Sequence, residues 1–399
     1  MSINGIFKIP INLLRRHQQE KVILTSILKL LNLEIIQRKQ LVSDYIRYTI
    51  LYFGSQEYVQ PKKPNNIGEI PEAIKITSVA HTISQPFVSE IANAQLVGST
   101  AIGFDNKANI IAETTLPPVG DLSPRYQGSI PLQSLLIKKL PELKTHQLST
   151  ACSLVSLWSK TYYHWFLDFL TRIEGLEYYQ EQAGCKPLLI IDSNPTSWQI
   201  ESLKLVGYSL DDCIQWDKTK VTVKKLVVPA FRQPGNWVSP SALHWLRQRI
   251  FSNLPTADIN QHFSSKRIYI SRSQASGRRV INEDEVMQFL APYGFVSYSL
   301  ETMNFMEQIQ LFSSAEIIIG PHGAGFTNII FSQKQPIVIE FVTPWVSPHY
   351  YLISNILDFP YWCLDCRQPY SEKLRESRGD MIVDINNLNH LFKKLSLQN

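Results

Sequence analysis

The chain has 399 residues, too many for one compact core and enough for two domains with an additional segment. With 44% hydrophobic and 18% charged residues it is an ordinary globular sequence rather than a disordered one. A formal net charge of +5 suits an anionic small molecule or a loose membrane contact, and the lack of a basic arm or aromatic-basic stripe excludes a nucleic-acid reader.

Residues 1–58 read as a separate helical segment. "MSINGIFKIPINLLRRHQQ" is no signal peptide, because basic residues follow its apolar part and no small-residue cleavage site is present. "VILTSILKLLNLEIIQ" comes nearest to a membrane span but is interrupted by Lys29, Asn32 and Glu34. It reads as an amphipathic helix packed on the protein body, with peripheral membrane contact as the alternative. The expected location is cytoplasmic, associated with the inner face of the membrane if this segment binds lipid.

"VQPKKPNNIGEIPEA" (59–73) reads as a linker. A first domain is expected over 70–235. It opens with a hairpin-like unit in "AQLVGSTAIGFDNKANIIAET" and a proline-rich loop, "TLPPVGDLSPRYQGSIP". From about residue 150 strands and helices alternate: "ACSLVSLW", "TYYHWFLDFLTRIEGLEYYQEQ", "PLLIID", "PTSWQIESLKLVG", "VKKLVVPAF". "RQPGNWVSP" marks a break, and a second domain follows over 236–399. Its strands are "RIYISR", "FVSYSL", "EIIIG" and "PIVIEF". Its helices are "NEDEVMQFLAPYG", capped by Asn282 with Glu285 three residues on, "NFMEQIQLFSSA", and a short one through "AGFTNIIF". A last helix from Ile385 is expected to dock back on the first domain. The fold class is therefore α/β: two domains with parallel sheets covered by helices, facing a cleft.

Five dispersed cysteines (Cys152, Cys185, Cys213, Cys363, Cys366) argue against a disulfide framework and for a reducing compartment. Cys363 and Cys366 lie three apart in a strand-like run and so point to opposite faces, with no second pair to complete a zinc site. No metal site is expected.

The chemistry concentrates in "IIIGPHGAGFTNIIF". Gly320 closes a strand and a helix follows within a few residues, at the sheet edge where α/β ligands bind. The glycines admit either a plain tight turn or the approach of a phosphate to the backbone, with His322 as a further donor. Glu340 ends the next strand at the same edge and can accept hydrogen bonds from ribose hydroxyls. In "YISRSQASGRRVINE", Arg272, Arg278 and Arg279 flank a helix start and can form a diphosphate clamp. In the first domain His164, Asp168 and Arg172 share one helix face. The first two can form a general-base site, or Asp168 and Arg172 a simple helix salt bridge.

Taken in order, "HWFLDFLTRI", "RIYISRSQASGRRVINEDEV", "GFVSYSLETMNFMEQIQLFSSAEIIIGPHGAGFTNIIF" and "PIVIEF" resemble glycosyltransferase family 61, from about residue 95 to 345. The resemblance implies a GT-B architecture of two Rossmann-like domains and inverting, metal-independent transfer from a nucleotide-sugar, most often UDP-linked. It implies that Arg272, Arg279 and His322 contact the diphosphate, with the stretch from Gly323 through Gly325 to Asn328 beneath it, and that Glu340 holds the ribose. His164 and Asp168 fall on the family's His-Trp motif, where the acceptor base is expected: Asp168 in the first place, with His164 as the alternative. Thr171 departs from the proline common at that position. Lacking an anchor, the chain is similar to bacterial members of capsule, lipopolysaccharide or exopolysaccharide assembly, whose acceptors are glycans or lipid-linked glycans. No cofactor is expected beyond the donor. The rival readings are a sugar-nucleotide epimerase and a non-catalytic nucleotide-sugar or glycan binding protein.

Overall fold

The computed structural model describes residues 26–115, 132–139, 147–217, 220–232, 237–255, 266–369 and 379–397. Residues 1–25 of the N-terminal segment and the proline-rich stretch 116–131 lie outside them. The chain forms two compact units: Met1–Ser55 with Gln85–Thr196 and Gly207–Gly235, and Gln56–Ser84 with Ser197–Val206 and Asn236–Asn399.

The first unit is built on a nine-stranded mixed sheet. Its spine is Phe87–Val97 paired antiparallel with Lys220–Pro229, beyond which Gln147–Ser153, Leu188–Asp192 and Cys213–Trp216 add in parallel. On the other side Tyr48–Tyr52 and Ile102–Phe104 share the free edge of Phe87–Val97. Ile110–Ile111 and Ile35–Ile36 extend the sheet from there. The expected parallel alternation from about residue 150 is thus joined to antiparallel strands in one mixed sheet. The expected hairpin is among them: it turns at Gly98–Ala101, both ends of which take positive φ (77° and 47°), and so short a connection can only return antiparallel. Ile91, Leu96, Ala151, Ile190, Val223 and Leu226 fill the core beneath.

The described part of the N-terminal segment is not a separate helical piece. Residues 26–30 and Arg38–Ser43 are helical, but Ile35–Ile36 and Tyr48–Tyr52 are strands of this sheet, and Leu41 and Tyr48 join its core. Beta-branched and aromatic residues in "YTILY" favour a half-buried pleated surface over a helix. Cys213–Trp216, four residues long, is too short to announce itself by alternation.

The second unit has a six-stranded, wholly parallel sheet in the order Phe295–Tyr298, Arg267–Ile270, Ile317–Pro321, Ile337–Val342, Tyr361–Asp365, Asn65–Ile67. Continuous apolar runs such as "IIIGP", buried throughout, are what a sheet covered on both faces requires. The helix Phe305–Ser314 begins in a capping box in which Asn304 Oδ1 accepts from Glu307 N (2.9 Å) and Glu307 Oε2 from Asn304 N (2.8 Å). From Arg267–Ile270 the chain steps outward to Phe295–Tyr298, then returns past its start to Ile317–Pro321. The order therefore reverses between the Arg267 and Ile317 strands, the kind of switch point at which open α/β sheets form a crevice beyond their carboxyl ends.

Three pieces lie elsewhere than expected. The supposed linker contributes Asn65–Ile67, whose Ile67 enters the core of the second unit. The helix Ser197–Leu205 packs on helices Pro240–Ser252 and Phe305–Ser314 of that unit. The last helix, Ile385–Lys394, does not return to the first unit. Its Leu388, Leu391 and Phe392 form one apolar stripe that joins Val286, Leu290 and Phe295 in the second unit's core. Among the described residues no helix is long and apolar enough to cross a membrane.

Candidate active site

The crevice of the second unit is lined by Arg272, two residues beyond its strand, and by the glycine loop after Pro321. The glycines serve first the protein's own close contacts. A Cβ on Gly320 would lie 2.8 Å from Ile270 O, and one on Gly325 would lie 2.8 Å from a methyl of Leu300. On Gly323 it would lie 2.9 Å from Cζ of Arg272. The guanidinium of Arg272 rests on Gly323. Gly325, expected beneath the diphosphate, is a packing glycine under Leu300 and Ile270.

Arg272 donates through Nη2 to Gly277 O (3.0 Å), while its Nε is buried with no hydrogen-bond partner among the described residues. Burial, and next the charge of Arg278, hold its pKa below the ordinary arginine value. A buried donor of a cation, orphaned beside a second cation, is costly unless an anion completes it. Arg278 sits in the left-handed region (φ 57°), uncommon for a residue with a long side chain, and its charge acts on Arg272, His322 and Tyr350. Arg279 does otherwise. It is exposed and bound to Asp380 through N (3.0 Å), Nε (3.1 Å) and Nη2 (2.6 Å), clipping two surface segments together. The second guanidinium of the cluster is Arg278, not the expected Arg279.

His322 is 4% exposed; its Nδ1 bonds the Glu340 carboxylate and its Nε2 lies 3.3 Å from Ser347 Oγ. Glu340 is fully buried, and its second oxygen accepts from Tyr361 OH (2.6 Å). With both oxygens engaged and no exposed edge, it cannot hold a ribose from this position. It stands behind His322 and fixes the ring. Tyr361, Ser347 and Tyr350, whose ring lies 5.2 Å from that of His322, complete the setting and carried no signal in the sequence. Asn328 is likewise buried and donates to Gln308 Oε1 (2.8 Å), so it braces the loop instead of reaching into the crevice. It lies in Ala324–Phe331, the short helix expected there, which is of the 3-10 kind.

Burial, against the opposing pull of Glu340, holds the His322 pKa below the ordinary value of 6.5. The unfolded ring protonates as pH falls through about 6.5 and the buried one does not, so this contribution to stability is present above that value and lost below it. The urea midpoint should therefore fall from about pH 7.5 to about pH 5.5, and less steeply in His322→Gln. Equal slopes would show that burial does not hold the ring neutral.

On the first unit, the helix carrying His164 and Asp168 is irregular: Tyr162–His164 is α, Trp165–Phe169 a π turn, Leu170–Arg172 3-10, and Ile173–Ala183 α again. Single π turns inside helices frequently mark functional sites. His164 Nδ1 bonds Asp168 Oδ2 at 2.6 Å. Asp168 is 4% exposed, whereas the His164 side chain is 29% exposed and its Nε2 has no partner among the described residues. Arg172 forms no salt bridge with Asp168. It is buried, donates to Pro229 O (3.0 Å) and Ser153 O (3.3 Å), and lies over the Phe231 ring. Thr171, in the place of a proline, donates its hydroxyl to Leu167 O (2.8 Å). Cys363 is buried and its thiol pushed up to about 12, so it is inert at neutral pH. Among the described residues no three His, Cys, Asp or Glu cluster in a way that could hold a metal ion.

Comparison with known proteins finds similarity in the part of the chain that carries most of these groups. Residues 162–339 match the family model Glycosyltransferase 61. The match is somewhat under half of the chain and takes in His164, Asp168, Arg272 and His322. Over 155 residues the chain is 24% identical to the β-1,2-xylosyltransferase RCN11 of Oryza sativa subsp. japonica, covering 36% of this chain and 28% of that protein. The β-1,2-xylosyltransferase of Arabidopsis thaliana is 24% identical over 168 residues, 38% of this chain and 30% of its own. The EGF domain-specific O-linked N-acetylglucosamine transferase of Xenopus laevis is 30% identical over 102 residues, 23% and 19% of the two chains. The matched part thus spans less than a third of each of these relatives. The family match and the three transferases support glycosyltransferase activity. All three relatives are eukaryotic, so the bacterial polysaccharide-assembly subtype expected from the sequence gains nothing from them.

Proposed function

We propose that this protein is an inverting, metal-independent glycosyltransferase of GT-B architecture that moves a sugar from a nucleotide-sugar, UDP-linked, to a hydroxyl of a glycan. One observation carries the reading. Arg272 Nε is a buried, unpartnered donor beside the charge of Arg278, at the switch point of a parallel sheet, which is what a diphosphate would complete. In this reading the acceptor oxygen attacks the anomeric carbon as its proton passes to His164 Nε2. The bond from that carbon to the diphosphate oxygen breaks, and the electron pair leaves with the nucleotide. Arg272, Arg278 and His322 stabilise the charge that develops there. Asp168 accepts from Nδ1–H of His164, fixing the tautomer and steadying the imidazolium. Of the two candidates for the base, His164 is preferred because Asp168 is buried with the oxygen nearest the ring already engaged.

The first test is thermal stabilisation by UDP, GDP, CMP and ADP, with and without EDTA. UDP at about 100 times its dissociation constant should add roughly 2.7 kcal/mol, with or without EDTA. No shift with any nucleotide would sink the donor-site reading. Next, His164→Asn should lower transfer by about two to four powers of ten and leave the UDP shift intact, with Asp168→Asn acting in the same direction. A variant that makes as much product as the wild-type protein would remove His164 from the role of base, and a wild-type protein that binds UDP but transfers nothing would point instead to a binding protein.

A further inference from the structure

A short turn on the first unit, between Gln147–Ser153 and the helix start at Tyr162, is built more carefully than a connection needs. Ser156 N donates to Ser159 Oγ (3.0 Å), and that hydroxyl donates to Ser156 O (2.7 Å). Thr161 N donates to Trp158 O (2.9 Å), and Ser159 is wholly buried. On the outside of this locked turn Leu157 and Trp158 are 51% and 38% exposed. A single exposed apolar side chain is ordinary. Two adjacent large ones, held out by a turn locked on a buried serine at the carboxyl edge of the parallel strands, are not. The Trp158 ring lies 5.4 Å from that of His164, tilted by 46°.

An indole face beside an open imidazole nitrogen suits a pyranose. The ring's apolar C–H face covers the indole, and its hydroxyls project from the edge. We propose that Trp158 is the platform on which the acceptor's sugar ring stacks, with Leu157 extending it, so that one hydroxyl meets His164 Nε2. The proposal rests on the glycosyltransferase reading above. Trp158 moves no proton in it and acts by placing the acceptor.

The test is saturation-transfer NMR on the full chain with the methyl glycosides of xylose, glucose, mannose and N-acetylglucosamine, alongside UDP thermal shifts. At least one glycoside should be saturated through its ring C–H protons. Trp158→Ala should weaken binding about three- to tenfold, and Trp158→Phe should retain most of it. Should the alanine variant melt early, Trp158→Leu serves in its place, since it keeps apolar volume without the ring. Saturation of none of the four by the wild-type protein, or equal binding in the leucine and phenylalanine variants, would overturn the proposal. Loss of the donor reading would look different: no UDP shift in the wild-type protein, whatever the glycosides do.

Discussion

Arg272→Ala should remove the UDP-dependent thermal shift and lower turnover by about two to three powers of ten, with no loss of stability in the absence of nucleotide. The separation follows from its contacts. Among the described residues its one hydrogen bond is to Gly277 O and its buried Nε has no partner, and after burial itself the strongest influence on its charge is another cation. A group whose surroundings penalise its charge is held there at a cost in stability, and removing it gives some of that back. The urea midpoint of the variant should match or exceed that of the wild-type protein. A large fall in the midpoint would mean that Arg272 is a structural residue. Gly323→Ala tests the same point from the other side. Its methyl group would push the guanidinium aside, so activity should fall while the fold stays intact.

Glu340→Ala should produce the opposite pattern. The carboxylate is fully buried and accepts from both His322 and Tyr361, so its removal strands two buried donors at once. Each neutral donor left unsatisfied in the interior costs about 1–3 kcal/mol, so the two together take a large share of the stability of an ordinary domain. Glu340→Gln, which keeps the shape and one acceptor oxygen, should cost clearly less. Equal denaturation midpoints for the two variants would show that neither the volume nor a single retained acceptor oxygen accounts for what Glu340 supplies. If Glu340 instead held a ribose, both substitutions would weaken UDP binding and leave stability unchanged.

The parts of this site that were legible in the sequence are those encoded locally. An apolar run broken by glycines marked the end of a strand, and arginines after the preceding strand pointed to the same edge. Both follow from strand periodicity and from the chemistry of the residues themselves. What could not be read depends on register across strands. Glu340 looks like an edge carboxylate until Tyr361–Asp365 is paired beside it, with Glu340 opposite Cys363, and the Tyr361 hydroxyl reaches its second oxygen. The exchange of Arg279 for Arg278 turns on Asp380, about a hundred residues further along the chain, and on a left-handed backbone at Arg278 that no propensity signals. The His164–Asp168 pairing follows from four-residue spacing, but the π turn between them and the diversion of Arg172 to two carbonyls do not.

The way the chain is shared between the two units bears on how the protein must be made. The chain passes from one unit to the other five times, near residues 55, 84, 196, 206 and 235. Asn65–Ile67, emerging early from the ribosome, has no neighbour to pair with until Tyr361–Asp365 has been synthesised nearly three hundred residues later. The sheet of the second unit therefore cannot close until Tyr361–Asp365 has been made. Neither half expressed as a contiguous fragment, cut at residue 235, should fold alone, whereas the two co-expressed should complement one another. Engineering that exchanges the first unit between relatives would need to carry residues 56–84 and 197–206 with the second.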